Sequence, residues 1–212
     1  MVEPYQDRSN SVENRLEDLF ARMTLEDKAG LMFHDIIAML PGGQLMGADN
    51  PFGRPATEAA IRAMRLNHFN LAGGVDNVRD LVAWHNRVQE LALATGPGIP
   101  VTVSTDPRHS FSNNPGTEAL AGAFSQWPQS LGFAALGDLD LVQRYADIAR
   151  QEYRAAGIRV ALHPQIDLAT EPRWSRIGMT FGEDADLTAE LVRDDLPPGV
   201  DLLDLGEHRL AD

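Results

Sequence analysis

The sequence predicts a parallel α/β fold with room for about half of an eight-stranded barrel. Short β-branched segments at 99–103 and 158–162 alternate with amphipathic helical segments, which is the pattern of a parallel sheet covered by helices. A further apolar segment lies at 71–75, and the apolar run 31–40 is expected to end in a strand. A complete (β/α)8 barrel needs about 250 residues and eight strand–helix units. The 212 residues of this chain therefore accommodate roughly four.

The first predicted elements are two helices. Apolar residues on one helical face predict an amphipathic first helix, and they are Val12, Leu16, Leu19, Phe20 and Met23. Thr24 stands three residues before Asp27, an approximate capping box that starts a second helix through Leu31. Glycines and prolines between 41 and 55 then predict a long loop.

Four more helices follow in the predicted order. The apolar spacing indicates helices at 59–66, at 78–91 with a stop near 96–98, and at 141–153 with an end at Gly157. Asp184 is a good N-cap for a last helix that runs to about residue 195. Residues 1–192 are therefore interpreted as the N-terminal portion of a single barrel domain. Residues 193–212, charged and interrupted by two prolines, are interpreted as a flexible tail.

Composition narrows the function classes. The formal net charge is −13, so the surface repels nucleic-acid backbones and anionic lipid, and we expect neither nucleic acid nor membrane as a partner. No cysteine is present, which excludes disulfides and thiolate chemistry. The first ten residues lack the apolar segment of a signal peptide, so a cytoplasmic location is expected. The histidines have no close ligand spacing, so neither a metal site nor a cofactor is expected.

Two polar loops at strand ends are the candidate site. Asp106 follows the 99–103 strand, with Arg108 and His109 beside it. The second loop, after the 158–162 strand, carries charged and aromatic side chains, namely Asp167, Glu171, Arg173, Trp174, Arg176, Glu183 and Asp184. Carboxylates and arginines can hold sugar hydroxyls, and a tryptophan face can stack on a pyranose ring.

Structural roles explain several of the same residues. Asp106 precedes a proline and is suited to capping a turn. Arg173 and Arg176 lie near Glu171, Glu183 and Asp184 in sequence, which predicts an ion-pair cluster that holds the loop. Trp174 is interpreted as a packing residue, and His85, on the apolar face of a helix, as a core residue.

Four characteristic segments follow one another in the chain: MTLEDKAGLM, IPVTVSTDPRH, WPQSLGFAA and GIRVALHPQIDLATEPRWSRIGMTFGED. In this order they resemble glycoside hydrolase family 3, which the chain matches from about residue 12 to residue 192. The last segment is similar to the family pattern that contains D-P-R-W-G-R and S-F-G-E-D. Three positions depart from the family: Ser110 and Ser175 replace glycines, and Glu171 replaces an aspartate.

The resemblance implies the first half of a (β/α)8 barrel and a retaining enzyme that releases terminal β-glucosyl or related β-glycosyl residues. It implies that Asp106 and Arg176 bind the sugar. His109, Arg173 and Asp167 match neighbouring motif positions and are counted as substrate-binding candidates. The family's nucleophile, acid/base and Lys-His pair match no position here, so no catalytic residue is assigned.

Three hypotheses follow for the chain itself. The first is a truncated, catalytically incomplete glycosidase. The alternative is a non-catalytic sugar-binding or interaction module that completes a barrel with another chain and self-associates through exposed barrel edges. The third, an active hydrolase that uses Asp167 and Glu183, is disfavoured, because nothing places two carboxyls around a scissile bond.

Overall fold

A computed structural model describes residues 3–112, 119 and 121–194 of the chain. The helices are α1 (Val12–Arg22), α2 (Leu25–Gly30), α3 (Thr57–Arg62), α4 (Val78–Leu93), α5 (Ser130–Leu136), α6 (Leu139–Ala155) and α7 (Ala185–Asp194). The strands are β1 (His34–Leu40), β2 (Gln44–Leu45), β3 (His68–Ala72), β4 (Thr102–Thr105) and β5 (Val160–Ala161). This alternation confirms the predicted α/β class.

The five strands form one sheet in the order β2-β1-β3-β4-β5. β1, β3, β4 and β5 are parallel neighbours, as in half of a (β/α)8 barrel, whereas β2 pairs with β1 in the antiparallel sense. All four parallel strands end at the same edge of the sheet. The loops that follow β4 and β5 therefore lie side by side.

The main core lies between the sheet and its helices. Ile37, Phe69 and Val103 project from three neighbouring strands toward Trp84 and Val88 of α4, and all five are almost fully buried. The pattern arises because alternate residues of a strand face opposite sides of the sheet. A second apolar cluster joins α5, α6 and α7 and contains Phe133, Val142, Phe181 and Leu191. This cluster supports the second polar loop.

The start of α2 has the predicted capping box. Asp27 main-chain N–H donates to the Thr24 hydroxyl at 3.1 Å, and Thr24 N–H donates to the Asp27 carboxylate at 2.9 Å. The other carboxylate oxygen lies 3.6 Å from the Arg65 guanidinium, and Arg65 has a left-handed backbone with φ of 59°. A Cβ on Gly30 would lie 2.2 Å from the Arg65 carbonyl oxygen, and one on Gly96 would lie 2.9 Å from the Asp27 carboxylate. Both glycines are required by these close approaches.

Several predicted boundaries were displaced. The strand expected at 71–75 lies at His68–Ala72, and the strand expected at 99–103 lies at Thr102–Thr105. Proline at position 100 explains the second displacement, because it cannot donate a ladder hydrogen bond. The predicted loop 41–55 contains a 3-10 turn and β2, and α5 had not been predicted as a helix. His85 is half-buried rather than a core residue, and its ring packs directly on Gly157.

The last predicted helix begins where expected. Asp184 accepts a hydrogen bond from Leu187 N–H at 2.9 Å, and α7 extends to Asp194. Most of the interpreted tail, residues 195–212, lies outside the described residues. The proposed boundary at residue 192 stays a prediction.

Candidate functional site

The loops after β4 and β5 enclose one cleft at the carboxyl ends of the strands, with about 670 Å³ of space that includes its opening to solvent. Its polar lining includes Asp106, His109, Ser110, Gln129, Gln165 and Arg176, and its apolar lining includes Phe133, Val142, Met179 and Phe181. The structure thus brings together three of the five binding candidates, namely Asp106, His109 and Arg176.

Asp106 follows β4 directly and is half-buried. Asn70 Nδ2, from the neighbouring strand β3, donates to Asp106 Oδ2 at 2.8 Å. Ser104 Oγ lies 3.5 Å from Asn70 Oδ1 and 2.7 Å from His34 Nε2, so polar side chains connect β1, β3 and β4. The cross-strand bond orients the carboxylate, whose second oxygen has no hydrogen-bond partner among the described residues.

Arg108 is a buried cation, with 1% of its surface exposed. Its guanidinium donates to the carbonyl oxygens of Leu71 and Gly73, at the end of β3, and to the Thr105 hydroxyl at the end of β4. Burial lowers the pKa of Arg108 from its usual value. The side chain fastens the Asp106 loop to two strand ends.

His109 is also buried and is held by a carboxylate. Its Nε2 lies 2.9 Å from Glu152 Oε2, and Ser125 N–H donates to the same oxygen at 3.0 Å. Phe124, Tyr145 and Tyr153 surround the ring with centroid distances of 4.8 to 5.9 Å. Burial lowers the pKa of His109, with a smaller contribution from Arg108, while Glu152 acts in the opposite direction. The Nδ1 atom is buried and has no partner among the described residues.

Tyr153 connects the two loops. Its hydroxyl accepts from Arg108 N–H at 3.2 Å and lies 3.0 Å from His163 Nε2, just after β5. Burial raises the pKa of the Tyr153 hydroxyl. Desolvation lowers the pKa of His163 to about 4, assisted by the neighbouring His109, although part of the His163 surface reaches solvent. Both groups are therefore neutral near pH 7, and Tyr153 can donate to the imidazole.

The remaining candidates lie on the outer part of the β5 loop. Arg176 is half-buried in the cleft wall, and no described residue forms an ion pair with it. The Arg173 side chain is 88% exposed and pairs with Glu171 at 2.7 Å, which lowers the pKa of Glu171 to about 2. Asp167 is exposed and accepts from Gln165 Nε2 at 2.9 Å. Neither Arg173 nor Asp167 lines the cleft.

The ion-pair cluster is smaller than predicted. Of the five charged residues assigned to it, the structure pairs only Arg173 with Glu171. Asp184 instead caps α7, because its carboxylate lies within reach of an unpaired N–H of the first turn. Trp174 is half-buried and does not line the cleft.

Sequence reasoning missed four residues that organise the site: Asn70, Glu152, Tyr153 and His163. His163 could have been found, because it directly follows the predicted strand 158–162. Asn70 lies before the segment 71–75 that was expected to form the strand, so its position gave no such signal. Glu152 and Tyr153 lie near the end of a long helix, where the pattern indicates only a buried face. Their role depends on which loop packs across the helix, and the apolar periodicity of a helix does not indicate which loop that is.

The described residues contain neither a membrane-spanning helix nor a metal-binding group of side chains. None of the helices there is both long and apolar enough to span a membrane. Within the same residues, no three or more histidine or acidic side chains are arranged to hold a metal ion.

Curated relatives match nearly the whole chain. It is 50% identical over 188 residues to the probable beta-glucosidase C of Aspergillus flavus, and 47% identical over 192 residues to the periplasmic beta-glucosidase/beta-xylosidase of Dickeya chrysanthemi. The alignments cover 89% and 91% of this chain but 29% of each relative. The chain thus spans less than a third of the length of these relatives.

Solved structures have the same fold. The beta-glucosidase EmGH1 of Erythrobacter marinus superposes with a TM-score of 0.63 at 25% identity, over 91% of this chain and 24% of that one. The beta-glucoside phosphorylase BglX superposes with a TM-score of 0.67 at 16% identity, over 92% of this chain and 31% of that one. The second likeness supports the fold alone.

The family description "Glycosyl hydrolase family 3 N terminal domain" matches residues 55–195, which include β3, β4, β5 and both loops of the cleft. This match covers most of the described sheet and agrees with the relatives. The chain belongs to glycoside hydrolase family 3, within the N-terminal domain of that family.

Proposed function

We propose that this chain forms the sugar-binding part of a β-glycosidase site, in which Asp106 and Arg176 hold a terminal β-glucosyl or related β-glycosyl unit. The observation that carries the proposal is that both side chains line one cleft although 69 positions lie between them in the sequence. His109 contributes by fixing the floor of the cleft.

The chemistry of the cleft suits a neutral sugar. A carboxylate can accept from two adjacent hydroxyls, and a guanidinium can donate to a third. Phe133, Val142 and Phe181 supply an apolar wall for the carbon face of the ring. Pockets for small ligands commonly combine such a wall with a few polar groups.

The same cleft does not supply a retaining mechanism by itself. Retaining hydrolysis needs two carboxyl groups about 5–5.5 Å apart. Asp106 is the one carboxylate among the described residues of the lining. We therefore infer that the chain binds sugar, and that hydrolysis by the family mechanism requires carboxyls from further polypeptide.

The test is binding of methyl β-D-glucopyranoside to the purified chain, measured by saturation-transfer NMR and by calorimetry. Asp106→Asn removes the charge while preserving size, and we expect it to weaken binding roughly tenfold or more, because a hydrogen bond to a charged group is lost. Asp167→Asn is the matched control and should bind as the wild type, since Asp167 lies outside the cleft lining.

Three results would contradict the proposal. The first is no saturable binding by a folded wild type, and the second is equal loss in both variants. The third is release of chromophore from a chromogenic β-D-glucoside that disappears in Asp106→Asn, which would mean that the isolated chain is catalytically complete.

The alternative is a non-catalytic interaction module. The exposed sheet edges favour it, because unpaired strands recruit other polypeptide. The net charge of −13 repels nucleic acid and anionic membranes, so neither is proposed as a partner. The cytoplasmic location stays a prediction, and the Dickeya relative is periplasmic by name.

A further inference from the structure

His163 is a cleft residue with one free imidazole nitrogen. At the ends of β4 and β5, Leu162 N–H donates to the Thr105 carbonyl at 2.9 Å. The residue that follows each of them, His163 and Asp106, therefore begins its loop beside the other, and both are half-buried in the cleft lining. His163 Nε2 lies 3.0 Å from the Tyr153 hydroxyl, whereas Nδ1 has no hydrogen-bond partner among the described residues. Nδ1 is therefore the polar atom that His163 can offer to a ligand.

The Tyr153 hydroxyl fixes the tautomer of this imidazole. Tyr153 is buried, and its oxygen already accepts from Arg108 N–H at 3.2 Å. Among the described residues, His163 Nε2 is the one acceptor placed to receive the hydroxyl proton. If Nε2 carried the imidazole proton instead, the Tyr153 O–H would be buried without an acceptor, which is unfavourable. Tyr153 therefore donates to Nε2, and the proton of the neutral imidazole lies on Nδ1.

We propose, on the basis of the sugar-binding function above, that His163 Nδ1–H donates to an oxygen of the bound glycosyl unit, and that Tyr153 positions this donor by fixing the tautomer. The cleft then holds both kinds of partner that hydroxyl groups need, because the Asp106 carboxylate accepts whereas Arg176 and His163 donate. His163 is neutral near pH 7, so its donor suits the uncharged oxygens of a sugar.

Two substitutions of His163 separate ligand binding from a merely structural role. The side-chain amide of asparagine lies as many bonds from Cα as Nδ1 does, and that of glutamine lies as many bonds away as Nε2 does. His163→Asn can therefore donate to the ligand without reaching Tyr153, whereas His163→Gln can reach Tyr153 without contacting the ligand. We expect methyl β-D-glucopyranoside to bind roughly threefold to tenfold more weakly to His163→Gln, which loses one hydrogen bond, and within about twofold of the wild type to His163→Asn. A merely structural role predicts the reverse order.

Calorimetry measures the binding, and urea denaturation shows whether each variant is folded. His68→Gln is the control and should bind as the wild type, because His68 is also half-buried but lies at the start of β3, away from the cleft. Wild-type affinity in His163→Gln would overturn the inference and leave the proposed function intact, and so would weaker binding by His163→Asn than by His163→Gln. A folded wild type that does not bind the glucoside would overturn both.

Nitrogen-15 NMR of the histidine side chains tests the tautomer in the wild type itself. The His163 signals are identified by their absence from the spectrum of His163→Gln. We expect a proton on Nδ1 and none on Nε2 at pH 7, and we expect the Nδ1 signal to shift when methyl β-D-glucopyranoside is added. In Tyr153→Phe the two tautomers share the population, so binding should weaken roughly twofold or more. A proton on Nε2 in the wild type, or an Nδ1 signal that saturating glucoside leaves unchanged, would contradict the proposed contact.

Discussion

The loop after β4 and the loop after β5 begin at neighbouring strand ends, yet they are held in different ways. The Asp106 loop is held from the inside, by a buried arginine that bonds to two strands and by a helix carboxylate that binds His109. The outer part of the β5 loop is held by short-range contacts such as the pair of Arg173 with Glu171. Long-range bonds to the scaffold therefore fix Asp106, whereas Arg176 depends on local loop structure.

The largest expected effect is at Arg108. Arg108→Met removes the guanidinium, which leaves the buried Leu71 carbonyl without this donor and removes the hydrogen bond to the more exposed Gly73 carbonyl, so the free energy of unfolding should fall by about 3 kcal/mol or more. Urea denaturation measures the change. Arg173→Met, in the other loop, removes only a solvent-screened ion pair and should leave the free energy of unfolding close to that of the wild type. Equal losses would remove the contrast between the loops.

The next effect is at Tyr153, whose hydroxyl is the contact that joins the two loops. Tyr153→Phe keeps the ring packing against His109 but leaves Arg108 N–H and His163 without this partner, at a cost of about 1–2 kcal/mol. Tyr5→Phe, which removes a hydroxyl bonded to the Pro97 carbonyl in a partly exposed place, is the control and should cost less. If Tyr153→Phe is neutral in the same denaturation assay, the loops are not coupled through this hydroxyl.

The pH dependence of the free energy of unfolding tests the buried histidines His109 and His163. The folded pKa of His163 is about 4, below its unfolded value, so the unfolded chain binds more protons between about pH 4 and pH 6.5. Stability should thus fall by on the order of 1–2 kcal/mol from pH 7 to pH 5 and stay level above pH 7. Buried His109 acts in the same direction. His163→Gln should flatten the curve of unfolding free energy against pH, and an unchanged slope would contradict this origin.

The smallest effect is expected at Glu171. Glu171→Gln breaks a fully exposed ion pair, and solvent screens such pairs strongly, so the free energy of unfolding should stay close to that of the wild type. Binding of methyl β-D-glucopyranoside should not change either, since Glu171 does not line the cleft. A large loss in either assay would mean that the outer loop carries more of the site than its contacts indicate.

The same contrast explains what could be predicted from the sequence. The order of the elements and the buried faces of the helices could be predicted from the spacing of apolar residues. The capping box at Thr24 and Asp27 could be predicted from the local residue types. Asp106 was predicted because position relative to a strand end is a local property. Asn70 and Glu152 were missed because their partners are 36 and 43 residues away, and single-sequence patterns hold no information on such pairs.

For the loop after β5, some predictions were right and others wrong, again because single-sequence patterns do not fix how side chains are oriented. Charges close in sequence suggested a cluster, but loop residues point in directions that depend on backbone turns. Arg173 and Arg176, three positions apart, therefore differ in environment: one side chain lies in solvent and the other in the cleft wall.

The close approach at the start of the barrel limits how the sequence can change. Gly30, Gly96 and Arg65 occupy one contact, in which a methyl group on either glycine would strike the Arg65 carbonyl or the Asp27 carboxylate. Substitutions at these positions are therefore interdependent, and the order in which they occur decides whether an intermediate sequence still folds. A combinatorial library of this domain should vary the three positions together, although they are scattered in the sequence and lie far from the cleft.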